Sequence, residues 1–330
     1  MRSARPIGLL LSGAAVLLWA VGMTVLQPLT EPIGPWSERL PGNNAYWARD
    51  LRFVAIVAVV LGLLLAGRGQ LRWSGPAVVL GGVWIAADVA IDRSDPAGTP
   101  STVLLAAGGC AVLGALVAVL SWRERGAPPS TDRRAVTGTA CVAGVLAVVA
   151  AGIESPTDRE PELTPAAFVT GVLLVALTAV AALAAAPART RSRGLLAAGL
   201  GAVAVAGVAL IRAVPPGTRI LPMVALGAVL LTGVTLLAWD WPGGRPVWRH
   251  HTLAGFASLV GPVPMLLVAG VAMMGLLPIG PTFTALAGNS PINSADSDVL
   301  LSLAGLLAGL GMALLLAWPA ALGHRPGPPR

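Results

Sequence analysis

Lysine is absent: all 22 basic residues of this 330-residue chain are arginine. That removes the Schiff-base lysine needed by retinal or pyridoxal phosphate, and the lysine of a phosphate-binding P-loop. Histidine is scarce. His250, His251 and His324 fall in one loop and the carboxyl tail, on one side of any membrane the chain crosses, so a bis-histidine haem inside the fold is excluded. The two cysteines, Cys110 and Cys141, lie in apolar stretches, form no CxxC pair and read as small packing residues. With no HExxH motif, no Cys/His cluster and no ligand spacing among the acids, we expect neither metal nor cofactor. Charge of either sign is thin, at 11% of residues, against about 25% in soluble domains.

What fills the chain instead is long apolar sequence, 55% hydrophobic overall. A bilayer core roughly 30 Å thick takes about 20 apolar residues per helix. Stretches of that kind run over 7–27, 51–67, 75–91, 101–121, 135–153, 165–186, 194–214, 220–239, 252–278 and 299–322. We therefore expect an all-α polytopic membrane bundle of about ten transmembrane helices, arranged as five helical hairpins in a single domain over 1–330. The connections are too short to fold alone. The first stretch follows Arg2 and Arg5 without a clear small-x-small cleavage site, and reads as an uncleaved anchor. Arginine without lysine, in a background of Ala, Gly, Pro, Leu and Val, is what GC-rich codons produce, so a bacterial source is expected.

Arginine placement orients the bundle, because topology follows Lys and Arg near span ends and largely ignores acids. The amino-terminal tail, the 68–74, 122–134, 187–193 and 240–251 loops and the carboxyl tail hold 15 arginines; the other five connections and adjoining span ends hold seven, against 12 of the 15 acids. Both termini are expected in the cytoplasm, with the protein in the bacterial plasma membrane. Trp73, Trp122, Trp239, Trp241, Trp248 and Trp318 stand where spans meet that face, as amphipathic indoles should. The net charge of +7 is spread over short loops, which fits topology and contact with anionic lipid rather than nucleic acid.

Two outer loops, 28–50 and 278–298, align at an offset of 246: Pro32, Ile33, Gly34, Pro35, Leu40, Gly42, Asn43 and Asp50 match Pro278, Ile279, Gly280, Pro281, Leu286, Gly288, Asn289 and Asp296. Either the hairpins 7–67 and 252–322 are duplicated, as parallel repeats would be, or two loops independently need Pro-Gly and Asn turns. Asp50 and Asp296 open the following helices, where a carboxylate favours the helix dipole. The ninth span carries Pro262 and Pro264 well inside it. Proline removes a backbone donor, so this is either a broken helix beside a substrate pathway or a packing kink. Glycines at near-helical spacing (Gly108, Gly109 and Gly114; Gly199, Gly201 and Gly207; Gly305, Gly309 and Gly311) are read as close-packing positions.

Charges at membrane depth are costly and mark candidate sites. Asp88 and Asp92, four apart, share one face of the third span. Arg52, Glu154 and Arg212 stand at the outer ends of others, and an Asp88–Arg212 or Asp88–Arg52 pair would neutralise the deepest acid. Either these form an outward-facing polar vestibule or they are structural ion pairs. The expected function is a permease, a proton-coupled exporter of a small amphipathic molecule. One alternative is a non-catalytic membrane subunit with a protein partner, such as a permease half coupled to an ATPase or an assembly scaffold, docked through the basic segment WDWPGGRPVWRHH. The other is an outer-face enzyme acting on a lipid-linked substrate through Asp88, Asp92 and Glu154. No histidine shares that face with a serine, which leaves no place there for a Ser-His-Asp arrangement.

Overall fold

The computed structural model describes residues 4–30, 47–124, 130–155, 160–289 and 296–322, and among these the regular structure is entirely helical. Helix α1 (Ala4–Val21), a π-helical stretch (Gly22–Leu26) and α2 (Gln27–Thr30) run on as one segment. Then follow α3 (Trp47–Ala66), α4 (Leu71–Asp92), α5 (Gly98–Arg123), α6 (Arg133–Gly152), α7 (Glu160–Ala185), α8 (Arg191–Ala213) and α9 (Ile220–Ala238). The chain continues through α10 (Trp248–Val260), α11 (Pro262–Gly275), the short α12 (Ile279–Leu286) and α13 (Leu300–Leu322). Among the described residues nine helical segments are long and apolar enough to cross a membrane, as in a multi-pass membrane protein. Helix is the form such sequence must take, because lipid offers no partner to a free backbone N–H or C=O.

Helix α3 equals the nine in length but brings Arg49, Asp50 and Arg52 in its first two turns. It is also apolar on every side below them, which is the signature of a helix enclosed by others. It packs against α1, α4, α6 and α7. Burial falls outward from this centre: 78% of the apolar window of α6 is buried, against 11% for Trp248–Gly275. The α1–α3 crossing is set by small residues. A Cβ on Gly62 would lie 2.3 Å from Ser12 Oγ and 2.8 Å from the Gly8 carbonyl oxygen, and Ser12 Oγ donates to the Val59 carbonyl at 3.1 Å. Only a side chain no larger than hydrogen lets the two backbones come this close.

The glycine stripes behave unevenly. Gly305 and Gly309 meet α6, Gly109 meets Val16 and Trp84, Gly207 meets Leu226 and Gly311 meets Met265, whereas Gly108, Gly114, Gly199 and Gly201 face open space within the chain. The ninth span is kinked rather than unwound. Gly261 keeps helical angles and donates to the Ala257 carbonyl, and Met265 N–H still reaches the Gly261 carbonyl at 3.3 Å. Pro264 is exposed on the bundle surface and Pro262 half-buried, so the interruption opens toward the periphery and not into the enclosed core. Cys141 is buried, and Cys110 is exposed.

Residues 31–46, which hold every matched position of the first echoed loop except Asp50, lie outside the described residues, as do 290–295, Arg2 and the carboxyl tail with His324; of Trp318, only the helical backbone is described.

Candidate functional site

Arg49 and Arg52, three apart, lie on one face of α3, and Asp88 and Asp92, four apart, lie on one face of α4. The two rows interlock at one end of the bundle. Arg52 grips Asp88 with both teeth of its fork, Nε to Oδ1 at 3.0 Å and Nη2 to Oδ2 at 2.9 Å. It also reaches Asp92, Nη2 to Oδ2 at 3.0 Å, and donates from Nη1 to Gln27 Oε1 at 2.8 Å. Arg49 bridges onward, Nε to Asp92 Oδ2 and Nη1 to Asp298 Oδ2. Trp19 Nε1 closes the other end on Asp88 Oδ1 at 2.7 Å.

The result is a ladder of alternating charge, Asp88–Arg52–Asp92–Arg49–Asp298, strung across α4, α3 and the segment before α13. Every member is 2% exposed or less. The π-helical stretch is part of the fit. A Cβ on Gly22 would lie 2.7 Å from Arg52 Cγ, so the widened turn and a bare glycine together make room for the guanidinium stem, a use typical of π-bulges. Trp19 and Trp84 stack edge-on at 5.3 Å beside it.

The far end of the ladder is anchored by α12. Thr284 Oγ1 donates between Asp296 Oδ2 at 2.8 Å and Asp298 Oδ2 at 3.0 Å, and Asp298 N–H donates to Asp296 Oδ1 at 2.9 Å. Asp298 Oδ1 is buried without a hydrogen-bond partner among the described residues. Gly280 lets α12 lie against this segment, since a Cβ there would collide with the Asp296 carbonyl, and Phe53 meets Phe283 at 5.4 Å. Asp50 lies in the first turn of α3, as expected, but its side chain reaches across to another helix. Its Oδ1 accepts the Ser302 N–H at 2.7 Å, one of the donors that the first turn of α13 leaves unsatisfied. Asp296 holds the turn leading into α13 and is not a cap in its first turn. Among the described residues no three of His, Cys, Asp or Glu gather as a metal ion would require.

Burial pushes the Asp298 carboxyl up to about 6; the Arg49 guanidinium pulls it down, and Asp296 adds to the rise. A carboxyl raised on folding contributes most stability below its unfolded value, and that contribution is lost as pH rises from about 4 to about 6. Asp298→Asn is therefore expected to flatten that part of the stability profile. Melting both proteins in detergent from pH 4 to 7 checks it; parallel curves would contradict the assignment.

Arg212 is not in this cluster, and the expected Asp88–Arg212 pair does not form. Arg212 sits where α6, α7, α8 and α9 meet. It donates to the Ala151 and Ile153 carbonyls at 3.1 and 2.7 Å, to Thr164 Oγ1 at 3.0 Å, and to Glu160. Arg219 shares Glu160 and donates to the Ile211, Val214 and Ile153 carbonyls. Glu154 accepts the Gly217 N–H in an exposed turn. At the opposite end Arg133 reaches the Ala185 and Ala238 carbonyls, and Arg193 the Leu237 and Trp239 carbonyls. Four arginines thus finish the carboxyl ends of neighbouring helices, where cations offset the helix dipole and satisfy orphan carbonyls.

Of the residues singled out from sequence, Asp88, Asp92, Arg52, Asp50 and Asp296 come together; Arg212, Glu154, Pro262 and Pro264 do not join them. Arg49, Asp298, Thr284, Gln27 and Trp19 were missed in the ladder, and Glu160 and Arg219 in the second cluster. Only Arg49 left a signal, its i, i+3 spacing from Arg52 matching the Asp88–Asp92 pair. No protein family, curated protein or solved structure matches the chain.

Proposed function

We propose that the chain is a proton-coupled permease that exports a small amphipathic molecule. In this reading it crosses a bacterial plasma membrane ten times as five hairpins, with both termini in the cytoplasm and the Asp88 end facing out. One observation carries the proposal: among the described residues five acids, Asp50, Asp88, Asp92, Asp296 and Asp298, are buried with only Arg49 and Arg52 as paired cations. An acid excess sealed from water at a bundle end is costly unless protons come and go. Asp88, held by Arg52 and Trp19, acts as a fixed counter-charge, and the acids nearer α13 do the exchanging. The arginine imbalance between alternate connections supports the orientation.

The test uses purified protein in liposomes enclosing a pH-sensitive dye, with ethidium as a cationic amphipathic probe and fluorescein as an anionic one. An imposed pH gradient should drive movement of at least one probe, and probe movement should in turn carry protons. Failure of both probes to move in tightly sealed vesicles would sink the exporter reading.

A second reading, a partner-dependent membrane subunit, is favoured by the sealing itself, because every rung of the ladder is already paired within one chain. Co-purification of a stoichiometric protein partner from native membranes, with no flux from the chain alone, would select it.

A further inference from the structure

The charge inventory of the ladder leaves one acid apart. Asp88 and Asp92 share Arg52, and Asp92 and Asp298 share Arg49. Asp296 accepts two hydrogen bonds, from Thr284 and from Asp298 N–H. Asp50 is 3% exposed and, among the described residues, is in no ion pair; Oδ1 holds the Ser302 N–H. The charge that raises the cost of ionising it is another carboxylate, Asp298, whose Oδ1 is buried without a hydrogen-bond partner among the described residues.

We propose that Asp50 carries a proton at neutral pH, on the oxygen that Ser302 does not hold, and that this contact between α3 and α13 is where the transported proton is bound. The proposal rests on the proton-coupled reading for its role, though not for its chemistry. A carboxylate this deeply buried, with no cation paired to it among the described residues, is costly to ionise. Asp298 is held to Arg49, so Asp50 is the one to take the proton. The proton cancels a buried charge that no paired cation offsets among the described residues.

The charged groups around Asp50 are few. Its own helix gives Arg49 and Arg52, both committed to other acids. Helix α4 gives Asp88 and Asp92, the segment before α13 gives Asp296 and Asp298, and α7, also packed on α3, carries Glu160 and Glu162 in its first turn. Helix α13 adds no charge, and the charges of α6 (Arg133 and Arg134) and α1 (Arg5) lie at the opposite end of the bundle. Against the proton stand the N–H groups of Leu301 and Ser302, the Ser302 hydroxyl, and the positive ends of the α3 and α13 dipoles, which all favour the carboxylate. The site is thus arranged to release what it binds: the proton passes from water to Asp50 and back, with no other bond made or broken.

Infrared spectroscopy of the protein in lipid nanodiscs at pH 7.5 reads this directly, through the carbonyl stretch of a protonated carboxylic acid and its shift in deuterium oxide. The wild type should show one such buried band. Asp50→Asn should abolish it, and Asp50→Glu should keep an acid and move the band, which guards against a variant that fails to fold. No band in the wild type, or a band unchanged in both variants, overturns the proposal. The outcome is independent of flux: a band that follows Asp50 in a protein that moves no probe leaves this assignment standing and removes the exporter reading.

Discussion

Arg52→Met should be among the most damaging single substitutions in the chain. It leaves Asp88 with only the Trp19 indole and Asp92 with only Arg49, both carboxylates enclosed. Breaking a buried pair from one side costs about 3–5 kcal/mol, mostly for the charge left behind. The variant should unfold well below the wild type in detergent, or fail to accumulate. Arg52→Met combined with Asp88→Asn should recover part of the loss, because the second change removes the stranded charge. Arg52→Lys should not restore the wild type, since one ammonium cannot span both Asp88 oxygens, Gln27 and Asp92. A single variant that melts with the wild type would show that the ladder adds no stability.

Arg212→Met is the second. It releases the Ala151 carbonyl at the end of α6, leaves the Ile153 carbonyl to Arg219 alone, and removes one of two cations from Glu160. Arg219 keeps its hold on Glu160, which is itself 22% exposed along its side chain, so the cost is smaller, about 2–3 kcal/mol. Arg212→Lys should fall between, keeping the charge without the fork. Thermal unfolding followed by limited proteolysis checks where the damage lies: cleavage should increase in 153–160 and 213–220, and not near α12. Equal protease patterns would show that the four helix ends are held by packing alone.

These two sites also mark what the sequence could and could not tell. The apolar spans were legible because lipid permits little else, and six of the ten expected stretches coincide with observed helical segments to within three residues at each end, while α4 starts four residues early. Helix α3 starts earlier than expected: Arg49 and Asp50 look like the edge of a span, yet partners on α4 and before α13 take them inside. Helix α7 begins at Glu160 rather than at Pro165, since Glu160 and Glu162 suit a first turn. The ninth span's helix begins at Trp248, ahead of its expected start, and the two prolines read as a break only bend it, because the hydrogen bonds on either side of Gly261 persist. Asp88 and Asp92 were found from their spacing, but their cations were not assigned. Hydropathy orders helices along the chain and is silent on which helices touch. The role of Asp50 at the start of α13 has no local signal at all.

The separation of partners along the chain has a consequence for synthesis. Arg52 finds Asp88 only 36 residues later, within the following helix. Arg49 and Asp298 are 249 residues apart, and Asp50 and Ser302 are 252. Helix α3 therefore leaves the ribosome with three charges and must wait in the translocon, or at the lipid boundary, with part of its needs unmet until α13 is made. Early hairpins can enter the bilayer as they emerge, but the enclosed end of the bundle closes only after α13 arrives. A nascent chain stalled before that helix presents the cell's quality-control proteases with an unfinished polar seam, which separates immature copies from mature ones by chemistry alone.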